Sequence, residues 1–166
     1  MQYVGDELER LALGQGDETN SDLLGRSAFN RYYYASFLIT RETIKSMQIS
    51  PKFVKHAEIP IILQEGLKKK AKPRLDKLVR EGLMDKGTYS RLLTDLNVVG
   101  NELAELLQHA NDARVLADYE PEIKTERDGS LIKLKDYKLT TAKVWPSKAR
   151  QLCGRLLRIW RDIGLA

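Results

Sequence analysis

The chain has 166 residues, enough for one hydrophobic core, so we expect a single domain over residues 1–166. Its 28 Lys and Arg against 23 Asp and Glu give a net charge of +5, which favours an anionic partner such as RNA but is also common in proteins that bind no nucleic acid. The longest apolar run, residues 59–63, is too short to span a membrane, and the single Cys153 excludes an internal disulfide. The first ten residues are acidic and mixed, unlike a signal peptide. We therefore expect a cytoplasmic protein without membrane contact.

The N-terminal part of the chain predicts two helices. Residues 4–13 have the spacing of an amphipathic helix, with an apolar face formed by Val4, Leu8 and Leu11. After a polar loop, Asn20 or Ser21 provides a side-chain acceptor that caps the first backbone N–H groups of a second helix. This helix extends to about residue 48, and apolar side chains cover so much of it that we expect several packing neighbours.

The middle of the chain predicts three further helices. A Ser-Pro pair at residues 50–51 opens a helix over residues 52–67, and a shorter basic helix follows at about residues 73–84. The clearest pattern lies at about residues 88–118, where apolar side chains recur at alternating spacings of four and three residues. This seam consists of Leu92, Leu96, Val99, Leu103, Leu106, Ala110, Ala113 and Ala117.

The C-terminal part predicts a β-hairpin and a last helix. Residues 123–127 and 130–134 alternate around Asp128-Gly129, a pair that is typical of tight turns. The last helix begins near Pro146, and Leu157 and Trp160 lie beside its apolar seam as candidates for contact with another subunit. The predicted fold class is therefore all-α, an up-and-down helical bundle with two long central helices, shorter flanking helices and a small β-hairpin before the last helix.

Two helical segments combine arginine with tyrosine. Residues 26–40 and 114–121 each place arginine and tyrosine side chains among apolar ones. Burying an arginine near the core costs free energy unless its charge is paired. The segments therefore predict either a polar network inside the bundle or a groove that holds phosphate and stacks a base, and the spacing leaves both open. The candidate ligand-binding residues are Arg31, Tyr34, Arg114, Asp118 and Tyr119.

These segments resemble two motifs of the prokaryotic HEPN superfamily, in its branch of short stand-alone proteins often encoded beside minimal nucleotidyltransferases. The first motif is Arg31-Tyr-Tyr-Tyr-Ala-Ser-Phe37 and the second is Arg114-Val-Leu-Ala-Asp-Tyr-Glu-Pro121. The similarity covers roughly residues 20–121, which leaves the hairpin and last helix, residues 122–166, as a separate ending. It implies a HEPN-like bundle of four to five helices that forms a homodimer and binds RNA or a nucleotide in a defence or toxin–antitoxin setting. It also implies a nucleotidyltransferase-like protein partner encoded nearby.

The nuclease members of that superfamily carry an arginine followed four to six residues later by a histidine, and both residues act on the RNA phosphate. In this chain Asp, Tyr and Glu occupy positions 118 to 120, so that pair is absent. A metal-independent ribonuclease would instead use Arg114 with His109 or Tyr119 as catalytic residues. The third alternative is a non-catalytic protein-interaction module, in which the Arg–Asp–Tyr network only stabilises the fold.

A run of positive charge lies between the two motifs. A solvated helix face is the usual explanation for such a run, and contacts with a phosphate backbone are the alternative. The candidate phosphate contacts are Lys68, Lys69, Lys70, Lys72 and Arg74. The chain has no glycine-rich phosphate loop and no Cys/His spacing typical of a metal site, so we expect no cofactor and no metal.

Overall fold

The computed structural model describes residues 1–49 and 55–165 of the chain, which are mostly helical, as predicted. In chain order, the helices and strands are α1 Gln2–Gly14, α2 Glu18–Ser46, α3 Ile59–Ile61, α4 Leu67–Arg80, α5 Lys86–Tyr119, β1 Thr125–Asp128, β2 Leu131–Leu134, β3 Tyr137–Lys138, α6 Leu139–Ala142 and α7 Trp145–Asp162. A 3₁₀ turn at His56–Glu58 precedes α3, and a π-helical turn at Ile62–Gly66 joins α3 to α4.

The chain divides into two compact units, each built from two distant segments of sequence. The first unit comprises Met1–Leu38 and Leu107–Lys148, and the second comprises Ile39–Leu106 and Ala149–Ala166. The two long helices, α2 and α5, contribute residues to both units. All eight residues of the seam predicted on α5 are buried, so that prediction is confirmed.

The face of α1 that is buried is not its apolar face. Gly5, Glu9 and Ala12 are buried, while Val4 is 45% exposed and Leu11 is 37% exposed. A Cβ atom added at Gly5 would lie 2.7 Å from Cε1 of Tyr32, so only glycine lets the α1 backbone approach that ring. The predicted helix is therefore present, but a close backbone contact and polar bonds hold it in place rather than burial of Val4 and Leu11.

The basic helix begins earlier than predicted. Residues 52–54 of the helix predicted over residues 52–67 lie outside the described residues. Helix α4 starts at Leu67 rather than near residue 73. Pro73 lies inside α4, where an interior proline costs about 3 kcal/mol. Four apolar side chains of α4 are buried, and burial of each large one stabilises the fold by about 1.5–3 kcal/mol, which together outweighs the cost of the proline. These side chains are Leu67, Ala71, Leu75 and Leu78.

The predicted hairpin is present as part of a three-stranded antiparallel sheet in the order β1-β2-β3. Thr125 pairs with Leu134 and Asp128 with Leu131, so Gly129 and Ser130 form the turn, and Gly129 has a φ of +57°. The sequence did not predict β3, which pairs Tyr137 with Leu134. It is two residues long, and no glycine marks the turn before it.

In the second unit, α5 lies very close to the π-helical turn at Ile62–Gly66. A Cβ atom added at Gly100 would lie 2.4 Å from the backbone oxygen of Leu63 and 3.0 Å from Cδ1 of Leu67. Trp160 of α7 is 1% exposed, so the prediction that it contacts another subunit is wrong: it lies in the core of its own chain. Its neighbour Leu157 is half-buried.

Candidate functional site

The C-terminal end of α5 is held by Arg26 of α2, and both lie in the first unit. Arg26 is 7% exposed, and its guanidinium donates to Ala117 O at 2.9 Å, to Leu116 O at 3.1 Å and to Ile123 O. The last carbonyl groups of a helix have no partner within it and carry partial negative charge, so an arginine is well suited to bind them. Arg26 thereby positions the last turn of α5, which carries Asp118 and Tyr119.

One turn before Arg26, Asp22 holds the chain that follows α5. Asp22 is 5% exposed, its Oδ1 accepts a hydrogen bond of 2.7 Å from the Thr125 N–H, and its Oδ2 lies 3.4 Å from Nζ of Lys124. Two side chains of α2 therefore fix both the end of α5 and the start of β1. Neither was selected from the sequence.

Four of the five predicted ligand-binding residues come together around Arg114. Nε of Arg114 lies 2.7 Å from Oδ2 of Asp118 without the geometry of a hydrogen bond, so this contact is an ion pair. Nη2 of Arg114 donates to the Tyr119 hydroxyl at 3.4 Å. The guanidinium carbon lies 5.1 Å from the ring centroid of Tyr119 and 6.0 Å from that of Tyr34. We call Tyr34, Arg114, Asp118 and Tyr119 the Arg114 cluster.

Asn30 links α2 to this cluster, and Arg31 does not. Nδ2 of Asn30 donates to Oδ1 of Asp118 at 2.6 Å, so Asp118 lies between a cation and an amide. The amide oxygen of Asn30 has no hydrogen-bond partner among the described residues. Nη1 of Arg31 lies 3.9 Å from Sδ of Met1. Arg31 was predicted to take part in this cluster, but its neighbour Asn30 makes the contact from α2 instead.

The part of the Arg114 cluster that faces solvent is the aromatic ring of Tyr119, and the guanidinium of Arg114 is paired with Asp118. The Arg114 side chain is 19% exposed, whereas Tyr119 is 65% exposed. Burial lowers the pKa of Arg114, but the hydrogen bond with Tyr119 and the charge of Asp118 outweigh burial and raise that pKa above its ordinary value. The guanidinium therefore stays charged, is neutralised by Asp118, and supports the ring of Tyr119 through a cation–π contact.

His109 lies on another side of α5. Residues five apart on an α-helix are separated by about 140° around its axis, so the side chains of His109 and Arg114 diverge. The exposed His109 ring lies 5.0 Å from the ring of Tyr137 and 5.9 Å from that of Trp145, measured between centroids. Of the two predicted catalytic partners of Arg114, Tyr119 is the one that contacts it.

The predicted phosphate contacts lie on α4, in the second unit, and the structure separates Arg74 from the rest. Nε of Arg74 donates to Ile163 O at 3.4 Å, at the end of α7. Lys69, Lys70 and Lys72 are exposed, and Lys68 is half-buried. An open groove of about 640 Å³ is lined by Lys69, Lys72, Pro73, Asp76 and Arg80. The lysines of α4 remain candidates for phosphate, whereas Arg74 is bonded to a helix end.

A groove of about 830 Å³ lies between the start of α2 and β1 in the first unit. Both of its cationic side chains are already bonded. Lys124 is paired with Asp22, and Arg127 donates to Gln15 O at 3.1 Å and to Gly129 O at 3.2 Å. No predicted site residue lines this groove.

A separate polar cluster fixes α1 in the first unit. The buried Tyr32 hydroxyl lies 2.9 Å from Oδ1 of Asp6 and 3.1 Å from Oε2 of Glu9, and Nζ of Lys143 lies 2.7 Å from the same Glu9 oxygen. Burial, the bond to Asp6 and the charge of Glu9 raise the pKa of Tyr32 well above its ordinary value. The hydrogen bond with Glu9 raises the pKa of Lys143.

This raised pKa predicts a loss of stability at alkaline pH. Above about pH 10, Tyr32 loses its proton in the unfolded chain but keeps it in the folded protein. The contribution of Tyr32 to the free energy of unfolding is therefore complete below that pH, and above it decreases by up to about 1.4 kcal/mol per pH unit. Tyr32→Phe removes the hydroxyl donor and is expected to cost about 1–2 kcal/mol at neutral pH. In urea titrations, that cost should shrink between about pH 8 and about pH 11. A cost that stays constant would contradict the prediction.

The chain matches no family model, no curated protein and no solved structure. Within residues 1–49 and 55–165, no helix has the length and apolar content that a membrane span requires. The functional proposal is therefore based on the geometry of the Arg114 cluster and on the motifs in the sequence.

Proposed function

We propose that this protein binds RNA or a nucleotide, as a HEPN-like member of a defence or toxin–antitoxin system, and that a base stacks on Tyr119. The main support is the exposure of this ring: Tyr119 is 65% exposed at the end of α5, while its hydroxyl and its ring both contact Arg114. A ring held in a fixed orientation loses little conformational freedom when a base stacks on it. Such stacking contributes about 1–3 kcal/mol per base.

Within this proposal, the members of the Arg114 cluster have different roles. Arg114 orients the Tyr119 ring and increases its attraction for a base through the cation–π contact. Asp118, fixed by Asn30, neutralises Arg114 and holds it in place, so Arg114 itself is a weak phosphate ligand. The net charge of +5 and the exposed lysines of α4 supply the electrostatic attraction for phosphate.

Binding is favoured over cleavage because of the side chains near Arg114. His109 points away from Arg114, and the contacts described for Arg114 lead to Tyr119, Asp118 and Tyr34. A metal-independent ribonuclease needs a proton acceptor near the 2′-hydroxyl, whereas the Tyr119 hydroxyl already accepts a hydrogen bond from Arg114. The HEPN-like assignment itself continues to depend on the two sequence motifs.

The proposal predicts that Tyr119→Ala weakens RNA binding about tenfold, because the lost stacking corresponds to about 1.4 kcal/mol. The measurement is the fluorescence anisotropy of a labelled single-stranded RNA at about 50 mM and about 200 mM salt, with the length of the RNA checked on a gel. Wild-type binding should weaken as the salt concentration increases, and the RNA should stay intact.

Two matched variants control this experiment. Tyr119→Phe keeps the ring and should lose much less affinity than Tyr119→Ala. Tyr3→Ala removes a tyrosine that is 80% exposed on α1 and should bind like the wild type. Equal affinities of Tyr119→Ala and Tyr3→Ala, or no RNA binding by the wild-type protein, would overturn the proposal. Shortened RNA would favour the ribonuclease alternative.

A further inference from the structure

The groove on α4, in the second unit, carries one carboxylate among its positive charges. Seven Lys and Arg side chains lie within residues 68–80, and Asp76 is the one acid of that segment. The groove has a volume of about 640 Å³ and is lined by Lys69, Lys72, Pro73, Asp76 and Arg80, and we call it the α4 groove. A carboxylate repels phosphate, so it weakens a site that binds phosphate alone. It strengthens binding only where the ligand also offers a hydrogen-bond donor.

The carboxylate of Asp76 is not used to neutralise its neighbours. Lys72 and Arg80 lie four residues before and after Asp76, at the spacing at which ion pairs form along a helix. In residues 1–49 and 55–165, however, no ion pair involves a charged side chain of the α4 groove. All four of these side chains are exposed. Both the cations and the carboxylate are therefore available to a ligand.

Tyr89 of α5 fixes the orientation of this carboxylate. Burial, the hydrogen bond with Asp76 and the charge of Asp76 raise the pKa of Tyr89, so the phenol keeps its proton and donates to the carboxylate. A carboxylate has two oxygen atoms with about four acceptor sites, so the bond from Tyr89 leaves room for a second donor. Asp76 is thus a held acceptor in the middle of a basic groove.

We propose that the α4 groove selects RNA over DNA: Asp76 accepts a hydrogen bond from a ribose 2′-hydroxyl, and the cations on either side of it hold the neighbouring phosphates. The role of Asp76 rests on the RNA binding proposed above and adds the choice between ribose and deoxyribose. Every nucleotide of RNA carries a 2′-hydroxyl that can donate, whereas DNA has only hydrogen at that position. DNA therefore meets the negative charge of Asp76 without a compensating hydrogen bond, and a site of this kind rejects an analogue that lacks the hydroxyl.

The test compares three labelled oligonucleotides of about ten uracil nucleotides, which have ribose, deoxyribose or 2′-fluoro sugars and are equal in bases and charge. In fluorescence anisotropy, the wild-type protein should bind the ribose form about tenfold more tightly than either of the others. The 2′-fluoro sugar keeps the conformation of ribose but has no donor. If the 2′-fluoro form bound as tightly as RNA, the groove would recognise the shape of the strand, and the proposal would be overturned.

Asp76→Ala and Glu81→Ala are matched variants, because each removes one exposed negative charge at or near α4. Asp76→Ala should tighten binding of the deoxyribose form and abolish the preference for ribose. Glu81 lies outside the α4 groove and is paired with Lys77, so Glu81→Ala should keep the preference. Lys72→Ala should weaken binding of RNA and DNA alike and reduce the slope of log K against log salt by about 0.7. Circular dichroism spectra of the variants should match that of the wild type.

The outcomes separate this proposal from the RNA binding on which it rests. A wild-type protein that binds none of the oligonucleotides would overturn both. Binding that Tyr119→Ala weakens, but with equal affinity for ribose and deoxyribose, would overturn the role of Asp76 alone. A ribose preference that persists in Asp76→Ala, or that Glu81→Ala abolishes equally, would also show that Asp76 is not the acceptor.

Discussion

Arg26→Met is expected to lower the free energy of unfolding by about 3 kcal/mol, since it removes a charged donor from three carbonyl groups. Arg26 is 7% exposed, and the carbonyls of Leu116, Ala117 and Ile123 accept its hydrogen bonds. Methionine fills part of the space and leaves these carbonyls without their donor. The measurement is a urea titration, followed by hydrogen exchange at the end of α5, where protection should fall most.

Arg31→Met is the matched control for this prediction. It is the same substitution five residues later on α2, at a half-buried side chain whose described contact is with Met1 Sδ. A surface substitution of this kind changes stability by less than about 0.5 kcal/mol. If Arg26→Met cost no more than Arg31→Met, the proposed role of Arg26 at the end of α5 would be wrong. RNA binding by Arg26→Met should also weaken, because the ring of Tyr119 loses its fixed position.

Gly100→Ala is expected to lower the free energy of unfolding by about 2 kcal/mol, although alanine is the better helix former by about 1 kcal/mol. The added methyl group would lie 2.4 Å from the oxygen of Leu63, a backbone atom that cannot rotate away as a side chain does. Either α5 or the π-helical turn must shift to make room for the methyl group. This shift weakens the packing between α5 and the turn in the second unit. Thermal and urea unfolding measure the effect.

The control for Gly100→Ala is Gly154→Ala in α7, also in the second unit. A Cβ atom at Gly154 meets no heavy atom within 4 Å, so only the helix propensity changes. This variant should gain about 0.5–1 kcal/mol. A stabilised or unchanged Gly100→Ala would show that the close approach of Leu63 to Gly100 is absent in solution.

The parts of the fold that the sequence predicted depend on periodicity within one segment. The seam of α5 repeats over eight positions, so its burial follows from helix geometry alone. The orientation of α1 was not predictable in this way, since periodicity shows that a helix has an apolar face and not that this face packs inward. The decisive contact, Gly5 against the ring of Tyr32, depends on two distant residues. The start of α4 was missed because Pro73 is a strong local signal that burial overrides.

In the candidate site, too, contacts within one helix were predictable from the sequence and contacts between distant segments were not. Arg114, Asp118 and Tyr119 lie within one turn and a half of α5, so their contacts follow from the spacing of one helix. Arg26 and Arg31 are the same residue type on one helix, and the sequence does not distinguish the buried one. The acceptors of Arg26 are backbone carbonyls, which every residue possesses, so they have no signature in the sequence.

The hydrogen bonds of Arg26 also constrain how the protein can fold during synthesis. Its acceptors lie 90, 91 and 97 residues later in the chain, and the second segment of the first unit begins only at Leu107. At roughly 5–20 residues per second, a ribosome needs about 5–20 seconds to make the intervening chain. During that interval the guanidinium of Arg26 lacks its carbonyl acceptors, and α1 is the other helix of the first unit that can cover the apolar surface of α2. Until the second segment is made, the N-terminal fragment leaves apolar surface uncovered, and such surface makes incomplete chains prone to aggregation.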